Sequence, residues 1–246
     1  MDGVFVSETE YSSRVCEDWH AHENDHISFI LQGGNKECRR RTEMEITPGN
    51  MLFYNGGEWH RNVGTKHPSK NINLEIRPDF FAKYQLHPAC FSLASSNGID
   101  AKLALLRIFK ECTLNDRQSI PAIHSLLLDV LTPSQDIHHA RQRPAWARQV
   151  CQVLHDRWNE NLTLTELSAA AGVHPVTVSK GFPKYFSCTL GEYTRKLRID
   201  HAVSLVRRTT SSLTDIAHFC GFFDQSHFIK TFKKATGFLP AEYKKL

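Results

Sequence analysis

The chain has 246 residues, of which 41% are hydrophobic and 23% charged, and a formal net charge of +4 at pH 7. This length suits one or two domains, and no apolar run approaches the roughly 18 residues that span a bilayer, so no membrane partner is expected. Seven cysteines stand singly without a CxxC pair, and the opening MDGVFVSETEYSSR has neither a basic start nor an apolar core. A disulfide framework, a structural zinc finger and a signal peptide are therefore not expected, and the expected compartment is a reducing cytoplasm.

Residues 1 to about 80 read as β structure. Ile27-Ser28-Phe29-Ile30-Leu31 ends at Gln32-Gly33-Gly34, and Pro48-Gly49 introduces Met51-Leu52-Phe53-Tyr54, which Asn55-Gly56-Gly57 closes. Short hydrophobic runs punctuated in this way suggest an antiparallel sandwich or small barrel. From Ile99 the period changes. Ile99, Leu103 and Leu106 follow helical spacing, as do Ile120, Ile123, Leu127 and Leu131. The two segments carry more apolar positions than one supporting stripe needs, so a homodimer contact is one expected use for them. Pro133 stops the second helix, and Thr132 to Pro144 (TPSQDIHHARQRP) is a polar linker. A further helix is expected from Ala145 to about Trp158.

The last hundred residues hold one pattern twice. Leu167 and Ser168 precede Gly172 and Val173, with Phe182 following; Ile216 and Ala217 precede Gly221 and Phe222, with Phe228 and Phe232 following. Each copy reads as a helix, a turn and a second helix. The small residue (Ser168, Ala217) lets the helices cross closely, and the glycine supplies the turn conformation. A long helix, about Leu190 to Arg207, lies between the copies and spans roughly 27 Å. That length can hold two helices in successive major grooves, about 34 Å apart, if the duplex bends slightly. Charge agrees: residues 141–246 hold 16 Lys+Arg against 8 Asp+Glu, whereas residues 1–140 hold 14 against 18. A basic rear half is the electrostatic footprint of nucleic-acid binding.

The residues from about Thr163 to Leu246 resemble the DNA-binding domain of the AraC/XylS family of bacterial transcription regulators. The matches are Leu190-Gly191-Glu192-Tyr193 leading into Arg195-Lys196-Leu197-Arg198-Ile199, then Ile216-Ala217-x-x-x-Gly221-Phe222. Asp224-Gln225-Ser226-His227-Phe228, Thr231-Phe232-Lys233-Lys234 and Gly237-Phe238-Leu239-Pro240-x-x-Tyr243 follow. The first copy departs from the pattern. Ser168 replaces the usual Ala, His174 the usual Ser or Thr cap, Ser187 a glycine turn and Pro183 a basic residue. A proline there is expected to shorten or kink the first recognition helix. By match to the family, the DNA contacts implied are Val176, Ser179 and Lys180 in the first unit. In the second they are Gln225, Ser226, His227, Ile229 and Lys230.

The front half carries His20-x-His22-x-x-x-His26, and Gly49-x5-Asn55-x-Gly57-x-x-His60 downstream. This spacing resembles the two motifs of the cupin β-barrel, with His26 in place of the usual glutamate and Asn55 in place of the usual proline. The resemblance implies that His20, His22, His26 and His60 converge on one divalent transition metal, with His20 and His22 on one side of a strand. Imidazoles suit Zn, Cu, Ni or Fe without choosing among them. The regulator resemblance implies a pocket for a small organic effector at the same place, with or without a metal, and this is the favoured reading. Arg39-Arg40-Arg41 reads as a solvated hairpin, and Cys16 and Cys38 as inert thiols.

The expected fold class is α+β: a cupin-like β-barrel with supporting helices, then an all-α tandem helix-turn-helix domain. The expected boundaries are 1–135 for a sensor and dimerisation domain, 136–144 for the linker and 145–246 for the DNA-binding domain. The expected function is sequence-specific transcription regulation, as an activator in type and not as an enzyme. The partners are an operator or promoter in double-stranded DNA, RNA polymerase and a small effector. The alternative is a metal-dependent cupin enzyme carrying a DNA-binding tail.

Overall fold

The structure is a computed structural model and describes residues 2–13, 17–94, 98–132 and 143–246. Most of the expected linker, with His138 and His139, lies outside the described residues, as do Cys16 and Pro133. Two compact units are present, Met1–Thr132 and Pro133–Tyr243.

Among its described residues the front unit has seven strands: β1 (Val4–Tyr11), β2 (Asp25–Gln32), β3 (Asn35–Arg39), β4 (Glu43–Ile46), β5 (Met51–Tyr54), β6 (His60–Val63) and β7 (Ser69–Ile76). They form an antiparallel sheet in the order β1-β7-β2-β5 and a second in the order β4-β3-β6. The α+β class is as expected, but the two sheets do not close into the expected barrel. Closure would fall to β4, β5 and β6, and these have only four residues each. Side chains join the sheets instead. Ile30, Leu52 and Tyr54 of the first cluster with Ile46 of the second.

β2 sits between β7 and β5 and is buried from Ile27 to Leu31, which accounts for an apolar run broken only by Ser28. Its inward face is mixed. Register places His26, Ser28 and Ile30 beside Glu75, Asn73 and Asn71 of β7, and paired residues share a face. Ser28 Oγ donates to Asn73 Oδ1 at 2.7 Å, and Asn73 Nδ2 donates to Thr9 Oγ1 at 2.8 Å. A polar interior is thus built into the centre of the front unit.

Helices α1 (Pro78–Lys83), α2 (Ala89–Ala94), α3 (Gly98–Leu114) and α4 (Ser119–Leu131) follow. Their apolar positions turn inward: Leu103, Leu105, Leu106, Ile108 and Phe109 of α3 and Ile123, Leu126, Leu127 and Leu131 of α4 are buried. Ile120 departs from the expected stripe and is exposed with Leu114. Both sit where the helices end and begin.

The rear unit is all helical: α5 (Ala145–Asp156), α6 (Leu164–Ala170), α7 (Pro175–Phe186), α8 (Leu190–Arg208), α9 (Leu213–Phe219), α10 (Gln225–Thr236) and α11 (Pro240–Tyr243). Three helix starts carry reciprocal capping boxes, Thr163 with Glu166, Thr189 with Glu192 and Ser212 with Asp215. The two turns are built alike. Gly172 and Gly221 adopt φ of +65° and +75°, and the next residue's N–H returns to the helix, Val173 to Ser168 O and Phe222 to Ala217 O. Phe182, Phe228 and Phe232 are fully buried, as the repeat requires.

Pro183 neither ends nor visibly divides α7, which runs on to Phe186. The carbonyl that loses its donor belongs to exposed Ser179, where water can serve it. Beyond the proline, Phe186 stacks on Phe182 at 4.1 Å between ring centroids, and both meet Tyr193 of α8. Packing holds the last turn that local propensity would release. His174 does cap α7, its Nδ1 accepting from Val176 N at 3.2 Å. Ser187 ends the helix with φ of +48°.

Arg198 of α8 joins the two repeats. Its Nη1 donates to Gly221 O at 2.6 Å, its Nη2 to Glu160 O at 2.7 Å and Asn161 Oδ1 at 3.0 Å, and its Nε to Trp158 O at 3.3 Å. A methyl group on Gly221 would lie 2.9 Å from the guanidinium carbon and 2.4 Å from Asn159 O. Replacing Arg198 with Met leaves those oxygens without their donor and is expected to cost about 3 kcal/mol in a denaturant melt of the full chain. Ser187→Gly relieves the left-handed strain at the end of α7 and is expected to add about 1 kcal/mol in the same measurement.

Candidate nucleic-acid interface and histidine cluster

The surfaces of α7 and α10 follow from which positions the core takes. Val178 and Phe182 of α7 and Phe228 and Phe232 of α10 turn inward. Most of the remaining positions of their first turns face solvent. Val176 (48% exposed), Ser179 and Lys180 are exposed on α7, and Thr177 joins them, a position the family match did not supply. On α10, Ser226, His227 and Lys230 are exposed, whereas Gln225 and Ile229 are half-buried.

Gln225 is held in place. Its Oε1 accepts from Thr214 Oγ1 of α9 at 2.8 Å, so its amide N–H groups remain the donors available to a base edge. Asp224 caps α10, accepting from His227 N at 2.7 Å. Phe223, immediately before this cap, is 87% exposed, with Phe219 of α9 exposed as well. The sequence pattern gives no reason to single out Phe223, because its neighbour Phe222 fills the core position.

In the front unit the histidines do meet, though not as residues of one strand. His20 and His22 precede β2; His20 pairs with His60 through two backbone hydrogen bonds of 2.9 Å, and Gly57 N donates to His22 O at 2.8 Å. Ring centroids of His20 and His22 lie 4.4 and 5.1 Å from that of His60. One ligand atom from each of His20, His22 and His60 lies within 4.8 Å of the others. His26 stands apart from this set. It stacks on His22 at 4.4 Å, but its Nε2 is 2.9 Å from Ser28 Oγ. The expected four-histidine set is therefore a three-histidine set with His26 as its neighbour.

Two of the three rings are oriented by carbonyls. His20 Nδ1 donates to Asp18 O at 3.1 Å and His60 Nδ1 to Glu58 O at 3.0 Å. A carbonyl can only accept, so each Nδ1 carries the proton and each Nε2 keeps its lone pair, as a metal ligand requires. Burial, then the neighbouring histidines, hold His22 below the ordinary range; burial and His22 hold His26 at about 4. His60 is lowered too, chiefly by burial.

Behind His60 lies an unexpected ionic network. Glu37 is fully buried and accepts from the Tyr54 hydroxyl and from Arg39 Nε at 2.6 Å. Arg39 also donates to Glu58 Oε1 at 2.6 Å and Phe53 O at 2.9 Å. Arg39 is thus structural rather than part of a solvated hairpin, whereas Arg40 and Arg41 are exposed. The Tyr54 ring lies 4.2 Å from that of His60. Three side-chain oxygens near this interior, Asn35 Oδ1, Asn62 Oδ1 and Asn71 Oδ1, are buried without a hydrogen-bond partner. A cavity of about 400 Å³ opens at His22, Glu23, Asn24, Glu75 and Arg77.

Comparison with known proteins bears mainly on the rear unit. A helix-turn-helix domain family matches residues 167–246. The chain is 30% identical over 121 residues to the uncharacterized HTH-type transcriptional regulator YisR of Bacillus subtilis, a match covering 49% of this chain and 42% of that protein. It is 22% identical over 241 residues to the HTH-type transcriptional activator RhaR of Mannheimia succiniciproducens, covering 92% and 86%. Among solved structures, an AraC-type regulator from Chromobacterium violaceum aligns with 43% of this chain and 94% of its own, at 23% identity and a TM-score of 0.41. No helix among the described residues is long and apolar enough to cross a membrane. With the family match falling on two helix-turn-helix units in tandem, the rear unit is a helix-turn-helix domain of AraC type, similar to those of transcription regulators.

Proposed function

We propose that the chain regulates transcription by reading a two-part DNA site with α7 and α10, under the control of a ligand held in its front unit. The observation that carries the reading is the pair of like-built turns. Each leaves the second and third residues of its second helix exposed while buried phenylalanines fix the opposite face. Val176, Ser179 and Lys180 then read one groove segment, and Gln225, Ser226, His227, Ile229 and Lys230 the next. The Gln225 amide suits an adenine edge and Lys230 a guanine edge. The 19-residue α8 spaces the two readers at roughly 28 Å. The remaining partners in this reading are RNA polymerase, recruited at an activated promoter, and a second copy of the chain on a repeated operator.

The ligand site of this reading is the interior behind His60. Three partnerless asparagine oxygens and a cavity beside His22 suit a polar small molecule. His20, His22 and His60 suit a divalent transition metal, since one ring nitrogen of each lies within 4.8 Å of the others and two rings are oriented by carbonyls. Such an ion supplies a Lewis-acid position open to an effector's donor atom. A cupin enzyme with a DNA-binding tail is the competing reading. It is rejected if metal-stripped protein binds DNA as before and no turnover of candidate substrates accompanies metal loading.

Selection of bound fragments from random duplex DNA tests the DNA reading. Lys230→Ala is expected to relax preference at one base pair by about 1–3 kcal/mol. Uniform weakening on every sequence assigns Lys230 to phosphate instead. For the front unit, elemental analysis of untagged protein is expected to find close to one equivalent of Zn, Ni, Cu or Fe. The paired changes His22→Ala and His60→Ala are expected to abolish it without weakening DNA binding. Unchanged metal content in a folded double variant removes the metal site.

A further inference from the structure

A second cluster of titratable side chains lies in the rear unit, away from the proposed DNA contacts. Cys151 and His155 are four residues apart on α5 and so share a face. Tyr193 of α8 meets both: its Oη lies 3.2 Å from Cys151 Sγ and 2.9 Å from His155 Nε2. Arg143 closes the other side, its guanidinium 4.2 Å from the Phe186 ring and its Nε donating to Tyr185 O at 3.3 Å. Cys151 is half-buried and His155 exposed, so small solutes reach the cluster from the imidazole side.

We propose that Cys151 is a reactive thiol, a site of oxidation by hydroperoxides, with His155 and Tyr193 as its proton relay. The arrangement is that of a thiolate–imidazolium pair. A protonated His155 donates to the Tyr193 oxygen, and the phenol hydrogen is then directed at sulfur. Burial pulls the Cys151 thiol up, but the hydrogen bonds from His155 and Tyr193 and the charges of His155 and Arg143 outweigh it, holding the thiol below its ordinary range. His155 is raised by its hydrogen bond to Cys151 and by the charges of Cys151, Asp200 and Asp156. Other thiols of the chain go the opposite way. Burial and Glu111 raise Cys112, and burial pushes Cys220 up to about 12. Since the thiolate is the nucleophile, Cys151 alone among these three is poised to react near neutrality.

The step balances without a further reagent. The Cys151 thiolate attacks one oxygen of the hydroperoxide; an S–O bond forms and the O–O bond breaks. The departing alkoxide, or hydroxide from hydrogen peroxide, takes the proton of the His155 imidazolium. The products are a sulfenic acid at Cys151, an alcohol or water, and neutral His155. The added oxygen enters the space of the Tyr193 hydroxyl. The Tyr193 ring packs on Phe182 and Phe186 at 5.5 and 5.3 Å between centroids, so the change is delivered to the core side of α7.

The test uses the native full chain, hydrogen peroxide and dimedone, with adducts quantified by peptide mass spectrometry. Cys151 is expected to collect about ten times the adduct of Cys112, since the two thiols are shifted in opposite directions. His155→Gln is expected to lower the Cys151 adduct about tenfold and leave Cys112 unchanged. Should that variant melt abnormally, Tyr193→Phe keeps the ring, removes the relay oxygen and is expected to give the same selective loss. Equal or lower labelling of Cys151 than Cys112 in the native chain overturns the proposal. So does a folded variant of either kind that labels Cys151 at the native rate.

Discussion

The rear unit depends on one buried guanidinium. Arg198 leaves the middle of α8 and spends its donors on backbone carbonyls and one asparagine, on both sides of the helix that separates the repeats. Taking such a charge out of water costs several kcal/mol, and burial indeed lowers the proton affinity of the group. Charge-assisted hydrogen bonds to oriented carbonyl dipoles offset that cost. The return is geometric: the segment before α6 and the turn before α10 are tied to the same point of α8. Helices α7 and α10 keep their spacing because neither repeat can slide along α8 without breaking this set. Trp158 adds to the joint, its ring stacked on His201 of α8 at 3.9 Å.

Gly221 shows how one residue answers two demands. Its positive φ is what a helix-turn-helix turn asks of a glycine, and Gly172 meets that demand alone. At Gly221 the backbone also comes so close to Arg198 and Asn159 that a Cβ has no room. The equivalent turns are therefore unequal in tolerance, and the difference comes from α8 and not from the turns.

The front unit is organised around polar groups inside a sheet pair. Glu37 is ionic, fully buried and satisfied by Tyr54 and Arg39, with Arg39 also stacked over the Tyr54 ring at 4.9 Å. This network fixes the Tyr54 ring, which in turn backs His60. His20 and His22 are brought to His60 by backbone pairing of an irregular segment. Rigid support lies under one histidine, and extended chain delivers the other two.

By itself the sequence determined the longer helices, their order and the repeat, because those rest on local periodicity and on turn chemistry within a few residues. The inward phenylalanines and the two glycines were legible for the same reason. The capping boxes were legible in principle, as Thr-x-x-Glu and Ser-x-x-Asp just before apolar runs. The exposure of Val176, Lys180 and Lys230 followed from the same 3.6-residue period. Tertiary structure decided what depends on residues distant in the chain. It carried α7 through Pro183 by stacking Phe186 on Phe182 and Tyr193, and it turned Arg39 from a surface charge into the partner of Glu37. It left the sheets open and drew Ser28 to His26, reducing a four-histidine spacing to three converging histidines. It also made Arg198 a hub and placed Tyr193 between Cys151 and His155. Spacing along a chain records which side chains share a face; which groups from other elements complete their hydrogen bonds is set only when those elements pack.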